Sequence, residues 1–211
     1  MLSTETFHKL KIHGTSSWAV WDENKNDVDF FLSKLNILHG KAVFVGLNRS
    51  NIANDLSKIA PLSNFHTKCH IGDKRLKRFI QDAQLLNLIG SFMTDISEQI
   101  ETNSNLVRVN EQNAVKVLAE KVRSIDNFQI RHIICFGDKV FNTLVNAFRI
   151  SKNQIVEVSG IKIREVEIKG RNETWHLYRV WHYSNYGIFI HKSEIELPIQ
   201  LKYINDKIEA E

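Results

Sequence analysis

Long apolar runs are missing from this 211-residue chain, and that absence rules out a helical membrane span. Only two cysteines occur, Cys69 and Cys135, which makes a disulfide framework implausible and leaves too few thiolates for a four-cysteine iron–sulfur cluster. Pro61 and Pro198 are the only prolines, so nothing punctuates the chain as a linker would, and repeats and low-complexity tracts are also lacking. The reading is one domain over 1–211. No Gly-x4-Gly-Lys loop, Gly-x-Ser-x-Gly elbow or dinucleotide glycine fingerprint is present, which counts against a nucleoside triphosphatase, a serine hydrolase and a typical dehydrogenase. The opening MLSTETFHKLKIHG has no apolar signal segment, and a cytoplasmic location with reduced thiols is expected.

What is present is ordinary in bulk. Apolar residues make up 43% and charged residues 25%, as in an average globular chain. The net charge of +4 permits a polyanionic partner without requiring one.

The hydrophobic pattern alternates between two periods. Val28, Phe31, Leu32, Leu35 and Leu38 fall at helical spacing, and AVFV (42–45) then reads as a buried strand ending at Gly46. Leu76, Phe79, Ile80, Ala83 and Leu86 mark a second helix, before a strand SFMTDI (91–96). Ala114, Leu118, Val122 and Ile125 mark a third, before the strand HIICFG (132–137). Asp138 is placed to cap a helix through Phe148. Residues 154–168 alternate with period two around Ser159–Gly160, a hairpin signal. TWHLYRVWH (174–182) gives a last strand, and a tail helix from Glu194 to Ile208 is bent or interrupted at Pro198. Strands separated by helices predict an α/β fold, a three-layer α/β/α sandwich around a mainly parallel sheet. Ligands of such sheets gather at the carboxyl ends of the strands. That directs attention to Gly46–Ser50, Thr94–Asp95, Gly137–Asp138 and His182–Ser184.

Asn48 and His182 are the chemically suggestive pair. An Asn amide just beyond a buried strand can hold a water, and a strand-end His can donate to developing negative charge. A plainer reading makes Asn48 a turn cap and His182 an ordinary strand-end residue. Lys74, Arg75, Lys77 and Arg78 form a basic cluster suited to phosphates, or simply a solvated helix face. His66, Cys69 and His70 hint at metal spacing without a fourth ligand, so no metal is expected. Trp18 and Trp21 read as packing at the sheet edge.

Taken together, GLNRS (46–50) and HYS (182–184) resemble the two signature segments of the uracil-DNA glycosylase superfamily. The nearest likeness is to its mismatch-specific members, which carry a Gly-x-Asn-Pro-Gly-like loop. Many members also carry a His-Pro-Ser segment late in the domain. Gly46, Asn48 and loosely Ser50 match the first, while His182 and Ser184 match the second; IICFGDKVFNTL is similar to the core strand–helix step. The resemblance runs from about Lys41 to Tyr186. It implies a uracil-DNA glycosylase-like fold that hydrolyses the N-glycosidic bond of a damaged, mismatched or modified base in DNA, with no cofactor. Asn48 would position the attacking water and His182 would stabilise the departing base. Phe65 would stack on the flipped base in a pocket shared with Gly46, Leu47 and Asp95. Arg49, Ser50, Ser184 and the 74–78 cluster would contact phosphates. Arg49 and Tyr183 stand where the family has prolines, and Asp95 is not the Asn that reads uracil in some members. Those departures motivate the alternative, a non-catalytic nucleic-acid or nucleotide-binding module on the same fold.

Overall fold

A computed structural model describes residues 3–11, 16–22, 27–49, 61–66, 70–123, 125, 131–150, 154–169, 174–185 and 187–211. Ser50, Cys69 and Tyr186 therefore lie outside the described residues. Among the described residues seven strands form one mixed sheet in the order β1-β3-β2-β4-β7-β6-β5. They are β1 (Ser17–Trp18), β2 (His39–Gly46), β3 (Ser91–Asp95), β4 (His132–Phe136), β5 (Gln154–Val158), β6 (Ile161–Lys169) and β7 (Thr174–Val180). The middle four, β3-β2-β4-β7, are parallel; β1 and the β6–β5 pair add antiparallel edges. The sheet is thus parallel at its centre, and the hairpin expected over 154–168 forms one antiparallel edge, where a short turn suffices and no crossover is needed.

The central strands are buried on both faces, which is why AVFV in β2 and IICF in β4 read as unbroken apolar runs. Val43, Val45, Phe92, Ile133, Cys135 and Leu177 point into one core, with side chains of α1 (Thr4–Lys11), α2 (Val28–Leu32), α4 (Glu111–Arg123) and α5 (Asp138–Ala147). Ala42, Phe44, Met93, Ile134, Phe136 and Tyr178 point into the other. There they meet α3 (Ile71–Lys77), the π-helical turn Arg78–Asp82 and α6 (Leu197–Glu209).

Local expectations fared unevenly. The hairpin turns at Ser159 and Gly160, with φ of 51° and 77°, the positive pair that a tight type I′ connection requires. The helix expected over 28–38 stops at Leu32, and residues 33–37 run on as turns. The second helical stripe also ends early, at Asp82, and Gln84 takes a φ of 55°. Asp138 does not cap α5: the N-cap is Gly137 at φ 87°, and the Asp138 carboxylate instead pairs with Arg164 and Arg179. Pro198 sits in the first turn of α6, where its missing N–H costs nothing, and a separate π-helical turn Lys192–Glu196 precedes it. Among the described residues no helix is long and apolar enough to cross a membrane.

Candidate functional site

The parallel register brings the carboxyl ends of β3, β2, β4 and β7 side by side, with Gly46 directly opposite Asp95. β2 and β7 are separated only by β4, so their ends lie about 10 Å apart at an ordinary strand spacing. Asn48 and His182 therefore follow strands that end at the same edge of the sheet, with Phe136 closing β4 between them. The Phe136 ring meets those of Tyr183 (4.9 Å between centroids), His182 (6.1 Å) and Phe65 (6.4 Å).

Asn48 is half-buried, in a segment that prolongs the β2–β3 pairing. Ser97 N–H donates to Leu47 O (3.0 Å), and Glu101 N–H to Arg49 O (3.1 Å). Both hydrogens of its amide are committed, with Nδ2 donating to Arg49 O at 2.9 Å and to Glu101 O at 2.7 Å. This fixes the amide orientation and leaves Oδ1 as a pure acceptor.

His182 is oriented by its neighbour two residues on. Ser184 donates to Nδ1 twice, from its backbone N–H (3.2 Å) and its Oγ (2.8 Å). Since a backbone N–H can only donate, Nδ1 is the acceptor and the ring proton resides on Nε2. Burial lowers the His182 pKa to about 4, helped by the nearby His70 and opposed by Asp73. The imidazole is neutral at physiological pH and offers a neutral Nε2–H donor.

Two features hold this loop. The Arg75 side chain is buried and donates to Glu194 Oε1 (2.5 Å), Tyr183 O (2.7 Å), Ser193 Oγ (3.2 Å) and Asn185 O (3.3 Å). Gly72 gives α3 room beside it: a Cβ there would stand 2.7 Å from Ser184 Cβ. Arg75 is thus spent on the loop rather than turned to solvent. Arg78 pairs with Glu194 and lies over the Phe79 ring, Lys77 lies 3.7 Å from Asp82, and Lys74 is exposed.

Phe65 is buried and held in the left-handed region at φ 63°, a conformation that costs a side-chain-bearing residue about 1–2 kcal/mol. Its support is visible. Trp21 Nε1 donates to Phe65 O at 3.0 Å, and the Trp21 backbone is gripped by Gln81 through two hydrogen bonds. Gly46 must lack a side chain, since a Cβ there would collide with Asp95 Oδ1 and stand 3.3 Å from Phe65 Cζ. Leu47 is buried in the core on the opposite face from Phe65.

Asp95 is buried at 2% exposure. Asn64 Nδ2 donates to its Oδ2 at 2.8 Å, and Lys121 Nζ donates to its backbone oxygen at 3.1 Å. Burial raises the carboxyl pKa to about 7, with Asn64, Lys121 and Arg49 pulling the other way. The Arg49 guanidinium is half-buried, bonds Ser63 Oγ at 2.7 Å and feels both Asp95 and Asp73. Asn64, Lys121, Asp73 and Phe136 had not been singled out from sequence, and His70 had been weighed only for metal spacing. His70 and Asp73 form a pair at 3.3 Å beside Ser184, and the Asp73 bond raises the His70 pKa. Among the described residues no group of three or more His, Cys, Asp or Glu is arranged to hold a metal.

No protein-family model matches the chain, and no curated protein matches its sequence.

Proposed function

We propose that the chain hydrolyses the N-glycosidic bond of a damaged, mismatched or modified base in DNA, on a fold of the uracil-DNA glycosylase type. The observation that carries the reading is the state of His182. A neutral imidazole whose Nδ1 is tied to Ser184 presents Nε2–H as a donor to a base leaving as an anion, with no proton transfer required. Asn48 plays the complementary part: with both amide hydrogens on carbonyls, its Oδ1 accepts from a water and aims it at C1′. The water attacks C1′, the glycosidic bond breaks with its electron pair passing to the base, and His182 Nε2–H stabilises that charge. The proton shed by the water as it becomes the C1′ hydroxyl is taken up by the released base anion.

Phe65, whose ring packs between those of Phe136 and Tyr183, is the aromatic assigned to stacking on the base, which offsets part of the few kcal/mol needed to unstack it. Just beyond the His182 loop, Ile188 (86% exposed) and Phe189 (53%) project from the 3-10 turn Gly187–Phe189. Apolar wedges of this kind occupy the gap left in a base stack, which favours duplex DNA over a free nucleotide.

The test is incubation with labelled oligonucleotides carrying uracil, mismatched thymine, hypoxanthine or modified pyrimidines, followed by alkali to reveal abasic sites. Strand breaks from at least one substrate, lost in Asn48→Ala, are expected. No break with any substrate would overturn hydrolysis. The second reading, a non-catalytic nucleic-acid or nucleotide-binding module, is favoured by Tyr183, whose ring stacks on His182 (4.8 Å, 20°) and fills space beside Phe65. It gives salt-sensitive binding with no release.

A further inference from the structure

Two buried residues beside the candidate site hold a backbone conformation that side-chain-bearing residues avoid. Among the described residues five non-glycine positions have positive φ: Leu62 (60°), Phe65 (63°), Gln84, Arg149 and Ser159. The last three are exposed turn residues, whereas Leu62 is 0% and Phe65 4% exposed. A bulky residue keeps such a φ only where its surroundings over-determine it.

Those surroundings are residues 16–21. At each strained position the carbonyl oxygen is captured by a buried side-chain donor from that segment. Ser17 Oγ donates to Leu62 O at 2.8 Å, and Trp21 Nε1 donates to Phe65 O at 3.0 Å. A third tie runs the other way, from His66 Nε2 to Trp18 O at 3.0 Å. The segment is itself anchored at both ends. Ser17 and Trp18 pair with Met93 and Phe92 of β3, Ala19 N–H donates to Ser91 O, and Gln81 bonds both the N–H and the oxygen of Trp21.

We infer that residues 16–21 are a positioning clamp, in which Ser17 and Trp21 hold Leu62 and Phe65 in the left-handed conformation and so set the Phe65 ring at the carboxyl edge of the sheet. The inference rests on the base-binding reading above and names the residues that preorganise its stacking surface. They precede the resemblance, which begins near Lys41.

The held stretch reaches the site with three consecutive residues. Ser63 Oγ accepts from Arg49, Asn64 donates to Asp95, and Phe65 packs against Tyr183 (6.0 Å between centroids) with its edge over Gly46. A return of Phe65 to negative φ moves its Cβ to the other side of the chain and takes the ring away from Gly46. The clamp thus bears on binding, and it touches no reacting atom. Losing one of its hydrogen bonds shifts the ratio of held to released conformers by roughly tenfold.

The experiment installs 4-fluorophenylalanine at position 65 alone and reads it by fluorine NMR in wild type, Ser17→Ala and Trp21→Phe. Wild type should give one line that is insensitive to exchanging water for deuterium oxide. Each variant should add or shift to a solvent-sensitive line. In parallel, fluorescence anisotropy measures binding to duplexes with a single 2′-fluoroarabino nucleotide, which resists hydrolysis, bearing uracil, thymine opposite guanine, or hypoxanthine. Preference over the unmodified duplex should fall by up to about tenfold in both variants, in proportion to the lost held conformer. In a Phe65→Ala background the same substitutions should cost nothing further, which a merely structural role would not produce. If Trp21→Phe does not fold, Ser17→Ala and its cycle with Phe65→Ala decide the matter. An unchanged fluorine line in the variants, or a loss of preference that persists in Phe65→Ala, would overturn the clamp. The two claims separate cleanly. Preference in the wild type with an unresponsive line keeps the base-binding reading and overturns the clamp, whereas a responsive line without preference for any of the three duplexes does the reverse.

Discussion

Replacing Arg75 with Met should loosen the His182 loop and destabilise the whole fold. The guanidinium, 5% exposed, donates to two backbone carbonyls, a serine hydroxyl and a carboxylate across more than 100 residues of sequence. Met fills much of the volume and replaces none of the donors. Breaking a buried charged pair costs about 3–5 kcal/mol. Glu194 is one-third exposed and keeps Arg78, which places the loss near the low end, about 3 kcal/mol. For a chain of this length that is a fall in Tm of roughly 6–12 °C. Calorimetry or thermal circular dichroism reads it directly. Arg75→Lys keeps the charge and loses the planar fork, and should fall between wild type and Met. A shift below about 2 °C in Arg75→Met would refute the claim that this side chain pins residues 183–185.

Three further outcomes follow from the same contacts. His66 is 6% exposed, donates through Nε2 to Trp18 O, and has its pKa lowered by burial to about 4. The unfolded chain then binds a proton that the folded one refuses, so stability present at pH 7 should decline from about pH 6.5 towards 4, by roughly 3 kcal/mol from this group at pH 4. Urea midpoints against pH check it, and a flat profile would contradict the burial argument. Ser184→Ala removes the Oγ bond to His182 but leaves the backbone N–H that fixes the tautomer, so base release should slow by less than about tenfold. Ile188→Ala with Phe189→Ala should leave Tm unchanged within about 2 °C while lowering activity on duplex more than on single-stranded DNA.

How much was legible in advance depends on the range of the interactions. AVFV, SFMTD and HIICF stood out because strands covered on both faces are apolar throughout, and that local signal survives in any context. Ser159–Gly160 was equally plain, since few dipeptides accept two successive positive φ angles. The helix over 28–38 was misjudged because Leu35 and Leu38 keep helical spacing while the chain turns back through hydrogen bonds at Lys34 and Ile37. Arg75 was grouped with its basic neighbours. Its position between Gly72, Leu76 and Phe79 on the buried stripe was the available clue, but its partners lie some 110–120 residues away. Asn64 and Lys121 left no trace at all in the local sequence. Each bonds Asp95, and nothing short of the fold brings the three together.

The most direct measurement is the intact mass of a substrate oligonucleotide after incubation with wild type, Asn48→Ala and His182→Gln, taken without alkali. N-glycosidic hydrolysis replaces one base by a hydroxyl and leaves the strand unbroken. The expected result is that mass change with wild type, and its loss or slowing by at least about a hundredfold in both variants. Equal conversion by wild type and both variants, or none by wild type on any substrate, would contradict the assignment of Asn48 and His182 as the pair that performs the chemistry.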